Sequence, residues 1–141
     1  MKPMDKILIV ADDRMFLKSL KAGLQNYMGQ FEVRTVPNGD KALNILNGER
    51  ISIVVSDINQ PKTNGLDILS YLEKNRPQVP CILMAAPESS AIDIGAERKN
   101  VFRILTKPFD TEDLFAAIME GLERLDEGLF WREYHRRQNR F

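Results

Sequence analysis

The stretch Ile51-Ser52-Ile53-Val54-Val55-Ser56-Asp57 decides the fold. Its apolar part, Ile51 to Val55, is almost unbroken and mostly β-branched, and a carboxylate follows it. A strand with one wet face alternates polar and apolar residues. A strand covered on both faces does not, so this run reads as a strand inside a parallel sheet. Two further runs share the pattern: Ile7-Leu8-Ile9-Val10-Ala11, followed by Asp12 and Asp13, and Val79 to Met84. Phe31 to Val36 and Val101 to Leu105 are interrupted by Glu32, Arg34 and Arg103, which suits strands nearer an edge.

Helical spacing fills the intervals. Phe16, Leu20, Leu24 and Tyr27 or Met28 recur three and four residues apart; Ala42, Leu43, Ile45 and Leu46 mark a second helix; Leu66, Ile68, Leu69 and Leu72 mark a third. A fourth, around Ser90 to Arg98, has only Ile92, Ile94 and Ala96 to bury and contains Gly95, so its intrinsic stability is low. The fifth starts at Thr111 and presents Leu114, Phe115, Ile118, Leu122 and Leu125, with Asp110 placed to cap it. Asn38 and Ser89 offer similar starts. Strand then helix, five times over, with right-handed crossovers, puts helices on both faces of one parallel sheet: a doubly wound α/β domain.

Composition agrees with one such domain. A chain of 141 residues, 43% hydrophobic and 28% charged, is enough for one core and too short for two comfortable ones. Twenty acidic residues balance 20 basic ones, so no global charge points to nucleic acid or an anionic membrane. Cys81 is the single cysteine and His135 the single histidine, which excludes an internal disulfide and a zinc cluster and suits a reducing, cytoplasmic setting. No window approaches the roughly 18 apolar residues of a membrane span.

The chemistry sits at the strand ends, where open α/β sheets bind their ligands. Asp12 and Asp13 follow the first strand, Asp57 the third and Lys107 the fifth. Each alone has an ordinary reading: an aspartate after a strand caps a helix or makes a turn, and a lysine is solvated. Three carboxylates at one edge repel one another, and a hard divalent cation such as Mg²⁺ resolves the repulsion with oxygen ligands. A lysine beside it neutralises a phosphoryl group, and a carboxylate nucleophile in such a pocket forms an acyl phosphate.

Over residues 5–125 the sequence resembles the bacterial response-regulator receiver family. The resemblance is carried by Asp12-Asp13 after the first strand, by Val54-Val55-Ser56-Asp57-Ile58-Asn59-Gln60-Pro61 with Gly65 beyond, by Leu105-Thr106-Lys107-Pro108-Phe109, and by the intervals between them. It implies a flavodoxin-like (β/α)5 fold with strand order 2-1-3-4-5, helices one and five on one face and two, three and four on the other. It implies Asp57 as phosphoacceptor, Asp13 as the main carboxylate ligand of Mg²⁺ (or Mn²⁺) with Asp12 assisting, the Asn59 carbonyl as a further ligand, Lys107 on the phosphoryl oxygens and a cis Lys107–Pro108 bond. The implied donor is a histidine kinase or histidine phosphotransfer domain. The domain would be mainly a kinase substrate, with Mg²⁺-dependent autophosphorylation from small donors and slow autodephosphorylation.

Two positions depart from the family. Ala85 stands where relatives carry Thr or Ser, and Ile104 where they carry Tyr or Phe. The hydroxyl and the ring are the family's switch pair. A methyl group makes no hydrogen bond and a stiff β-branched side chain simply packs. The expectation is an intact phosphorylation apparatus with an altered read-out. The alternative from another class is a degenerate receiver acting as a phosphorylation-independent interaction or dimerisation module. A small metal-dependent phosphatase is a weaker third, since no separate acid serves a leaving group.

Residues 1–125 are read as the receiver and 126–141 as a basic, aromatic helical extension, or a connector to an output domain not contained in this chain. From 128 onward, Arg132, Arg136, Arg137 and Arg140 face only Glu133, a net +3. Leu129 prolongs the apolar stripe, and Phe130, Trp131 and Tyr134 add aromatics. Without a sheet platform this is a dimerisation or connector helix rather than a nucleic-acid surface.

Overall fold

A computed structural model describes residues 4–27, 29–58, 65–89, 93 and 97–138, the backbone alone for 65, 66 and 126–138. Five strands, β1 (Lys6–Val10), β2 (Glu32–Val36), β3 (Ile53–Asp57), β4 (Cys81–Ala85) and β5 (Val101–Thr106), alternate with helices α1 (Arg14–Leu24), α2 (Gly39–Gly48), α3 (Gly65–Asn75) and α4 (Thr111–Gln138). A single 3₁₀ turn, Gln25–Tyr27, extends α1. The helix expected between β4 and β5 falls largely outside the described residues, so the helix expected as the fifth is α4 here.

All strand pairs are parallel, as the doubly wound reading requires, and the order is β2-β1-β3-β4-β5, as the family resemblance implies. The two runs with interrupted patterns are the two edge strands. β3 and β4 are buried throughout, which is why their sequences show no alternation. Successive side chains go to opposite faces. Ile7, Ile9, Ile53, Val55, Ile82 and Met84 meet Leu17, Leu20 and Leu24 of α1 and Leu114, Ile118 and Leu122 of α4. Leu8, Val10, Val54, Cys81 and Leu83 meet Ala42 and Leu46 of α2 and Ile68, Leu69 and Leu72 of α3.

Helix starts follow the capping chemistry. The Asn38 side chain accepts from the Lys41 amide at 2.9 Å, and the Asp110 carboxylate accepts from the Asp113 amide at 2.9 Å. Asp113 reciprocates by accepting from the Asp110 amide at 3.2 Å, so two otherwise orphaned donors are satisfied together. Ser89 precedes a segment outside the described residues.

Two local features differ from the sequence expectation, and a third is an irregularity of register. β3 lies two residues further along than the apolar run, so Asp57 is the last residue of the strand rather than a residue after it. Val79 and Pro80 precede β4; Pro80 has no N–H to give a ladder, and its carbonyl accepts from Val54 at 3.2 Å. On β5 the register shifts between Cys81 and Ile82, which pair with Val101 and Arg103. Phe102 is the extra residue of this irregularity. Its ring joins the α1–α4 side, whereas Ile104 joins the α2–α3 side.

Candidate functional site

The carboxyl ends of β1, β3 and β5 bring Asp12, Asp13, Asp57 and Lys107 to one edge of the sheet. Hydrogen bonds beyond the strands hold this edge: Ala11 donates to the Val36 carbonyl at 3.2 Å, Ile58 to Met84 at 3.0 Å, and Lys107 to Ala85 at 2.8 Å. The last of these fixes where the Lys107 stem begins. The following Lys107–Pro108 peptide bond is cis.

Asp57 is 1% exposed. Its Oδ2 accepts a hydrogen bond and ion pair from the Lys107 Nζ. A buried carboxylate is costly unless charge and hydrogen bonds compensate it, and Lys107 supplies both. The lysine is only partly covered, with 34% of its side chain exposed, so its head bridges the buried acid and solvent. Its ammonium also lies 4.9 Å from the centroid of the Phe16 ring. That ring meets Phe109 edge-on, with centroids 6.3 Å apart and planes at 76°.

Asp13 has a structural job. It is the N-cap of α1, with its Oδ1 accepting from the Phe16 amide at 3.1 Å. Its other carboxylate oxygen is not used by the cap. The donor set at this edge is made only of oxygens, the chemistry a hard divalent cation selects. Among the described residues, no group of three or more His, Cys, Asp or Glu side chains is arranged to hold a metal ion by itself. Mg²⁺ commonly takes one or two protein carboxylates and completes its shell with water and phosphate oxygens, so Asp13 and Asp57 fit it without a third. Asn59 lies outside the described residues.

Ala85 is fully buried on the α2–α3 face, and Ile104 packs against the same cluster. The Oγ of Ser56, next to Asp57, is buried without a hydrogen-bond partner among the described residues. The sequence reading took Phe16 only as part of a helical stripe. Its place beside Lys107 was missed. The available signal was its position three residues after Asp13, which puts it on the first turn of a helix starting at the site.

A parallel sheet ordered 2-1-3-4-5, with a buried acid ending its middle strand and a lysine from the edge strand bound to that acid, defines the receiver class of α/β domains. The chain belongs to the response regulator receiver domain family, whose model matches residues 7–119. It is 34% identical over 118 residues to the transcriptional regulatory protein GlrR of Escherichia coli (strain K12), covering 84% of this chain and 26% of GlrR. It is 34% identical over 126 residues to the transcriptional regulatory protein CpxR of the same organism, covering 86% of this chain and 50% of CpxR. The chain thus spans from about a quarter to about half the length of the curated relatives it matches. A CheY-like receiver domain protein from Methanospirillum hungatei JF-1 has the same fold, with a TM-score of 0.80 at 25% identity over 89% of this chain and 99% of that one. Family membership favours the phosphoacceptor reading over the phosphorylation-independent module. No helix among the described residues is long and apolar enough to cross a membrane.

Proposed function

We propose that Asp57 accepts a phosphoryl group from a phosphohistidine on a histidine kinase or histidine phosphotransfer domain. The observation that carries this reading is the ion pair between the buried Asp57 carboxylate and Lys107, residues brought together from the carboxyl ends of two different strands. An Asp57 carboxylate oxygen attacks phosphorus, the donor P–N bond breaks, and the imidazole leaves and takes up a proton. An acyl phosphate remains on Asp57. Lys107 turns from the carboxylate to the phosphoryl oxygens, where its charge offsets the negative charge gathered in the transition state.

Mg²⁺, held by Asp13 and Asp57 with Asp12 in support and the Asn59 carbonyl as a further ligand, would supply charge neutralisation on the phosphoryl oxygens. Mn²⁺ has the same ligand preference. Asp13 keeps one oxygen on the Phe16 amide, so the helix and the site share a residue. The backbone of α4 continues to Gln138 and would connect the receiver to an output domain, as the greater length of GlrR and CpxR suggests. Residues 126–141 would therefore be a connector, with self-association of this segment as the competing role.

The test is incubation with acetyl phosphate and Mg²⁺, read by intact-protein mass spectrometry. The wild type gains the mass of one phosphoryl group, sensitive to hydroxylamine, and Asp57→Ala gains none. Equal labelling of both proteins refutes the assignment.

A further inference from the structure

We infer that Phe16 is a positioning residue for this transfer: its ring holds the Lys107 ammonium over Asp57 while its amide holds Asp13. The inference rests on the proposed phosphoacceptor role of Asp57. Lysine is a compact charge on a long, rotamer-rich stem. The Lys107 side chain is about one-third exposed, so water competes for its head group. Among the described residues, two contacts hold that head in place, the Asp57 Oδ2 and the face of Phe16 at 4.9 Å. Transfer consumes the first, because Asp57 then carries the phosphoryl group. It leaves the second untouched, since the ring quadrupole attracts the cation before and after the reaction.

The ring is itself held. Phe109 meets it edge to face, and Phe109 follows Lys107 by two residues in the same loop. The amide of Phe16 donates to Asp13 Oδ1 at 3.1 Å. One residue on the first turn of α1 therefore reaches two sides of the site: the carboxylate on β1's loop through its backbone, and the cation on β5's loop through its ring.

A core role alone makes a different demand. Phe16 also packs against the α1–α4 side of the core, and leucine serves that purpose nearly as well. Leucine has no π face, whereas tyrosine has one. The comparison is therefore Phe16→Leu, Phe16→Tyr and Asp57→Ala in the full chain, each labelled with acetyl phosphate and Mg²⁺. In this reaction the Asp57 oxygen displaces acetate from phosphorus. The Lys107 ε-methylene resonances are followed in parallel by ¹H–¹³C NMR.

Phe16→Leu is expected to slow labelling about 3- to 10-fold, the range that an aromatic–cation contact of ordinary strength supplies. Its Lys107 ε-methylene protons move downfield as the ring current is lost. Phe16→Tyr keeps both the rate and the shifts near wild type. Wild-type labelling in Phe16→Leu, alongside no labelling in Asp57→Ala, overturns the role of Phe16 and leaves the phosphoacceptor reading standing. Equal slowing by leucine and tyrosine also overturns it, because the aromatic face is then not the agent. Label retained by Asp57→Ala overturns both.

Discussion

Gly23 of α1 lies so close to Thr111, the first residue of α4, that a β-carbon on the glycine would stand 2.5 Å from Thr111 Oγ1 and 2.8 Å from its Cγ2. No real β-carbon tolerates that approach, so the missing side chain lets α1 seat against the start of α4. Nearby, Tyr27 stacks on Phe115, with ring centroids 3.7 Å apart and planes within 8°. The seating matters for the site, because α1 carries Asp13 and Phe16 and the loop into α4 carries Phe109.

Gly23→Ala tests this contact. Alanine favours a helix by about 1 kcal/mol over glycine. Overpacking costs roughly 1–3 kcal/mol and acts in the opposite sense. Urea denaturation is expected to show net destabilisation in Gly23→Ala. Adding Thr111→Ala removes the clashing Oγ1 and Cγ2 and recovers much of the loss, a non-additivity that marks direct contact. Additive effects would mean that the helices do not meet here in solution.

Asp13 serves a helix and, in our proposal, a metal, and two substitutions separate these roles. Repulsion among carboxylates taken alone predicts that Asp13→Ala stabilises the metal-free protein. The cap on the Phe16 amide predicts the reverse, a loss of about 0.5–2 kcal/mol. We expect the cap to win, with Asp13→Asn close to wild type because its amide oxygen still accepts that bond. Mg²⁺ then raises the melting temperature of the wild type and has little effect on either mutant. A full Mg²⁺ response in Asp13→Asn would remove Asp13 from the ligand set.

Ala85 and Ile104 lead to a prediction about response rather than transfer. A modification shifts a conformational equilibrium only through different affinities for the two states. Ala85 offers the phosphoryl oxygens no hydrogen bond, and Ile104 is already packed against the α2–α3 face. Beryllofluoride with Mg²⁺ is therefore expected to leave the amide shifts of Phe102 to Leu105 almost unchanged. The double substitution Ala85→Thr with Ile104→Tyr enlarges them more than either change alone. Large shifts at β5 in the unmodified protein would mean that another route reaches this face.

Cys81 gives a pH-dependent prediction. Complete burial in β4 raises its thiol from the usual 9.0 to about 12. Its thiolate is therefore scarce at neutral pH, and a disulfide reagent reaches it only when the chain opens. The unfolded chain loses this proton near 9 and the native protein keeps it until about 12. The stability held through the retained proton is thus fully present below pH 9 and is lost as pH rises from 9 towards 12. Urea midpoints measured from pH 7 upward should fall less steeply in Cys81→Ala than in wild type. Rapid thiol modification under native conditions at pH 8 would contradict this account.

The strands and most described helices were legible from local pattern, because backbone periodicity itself spaces apolar residues by two or by about 3.6. The unbroken runs at β3 and β4 marked two-sided burial, and the interrupted runs marked the edges. Asn38 and Asp110 were legible as caps because capping depends on a few adjacent residues. Asp12, Asp13, Asp57 and Lys107 were legible as an edge cluster because a doubly wound sheet puts the residues after its strands at one end.

Tertiary structure decided the rest. The register shift at β5 sent Phe102 and Ile104 to opposite faces, although they stand two apart in a strand. An irregularity of that kind depends on how β5 fits β4, not on the β5 sequence alone. Asp57 became the last residue of β3 because the neighbouring strands extend that far, with Asp57 paired in register to Met84. The Phe16 ring came to the Lys107 ammonium through the seating of α1 on the sheet and on α4. That contact joins the first turn of α1 to the loop after β5, far apart in sequence but at one edge of the sheet. Its geometry comes from packing between elements, and no periodicity within either one encodes it.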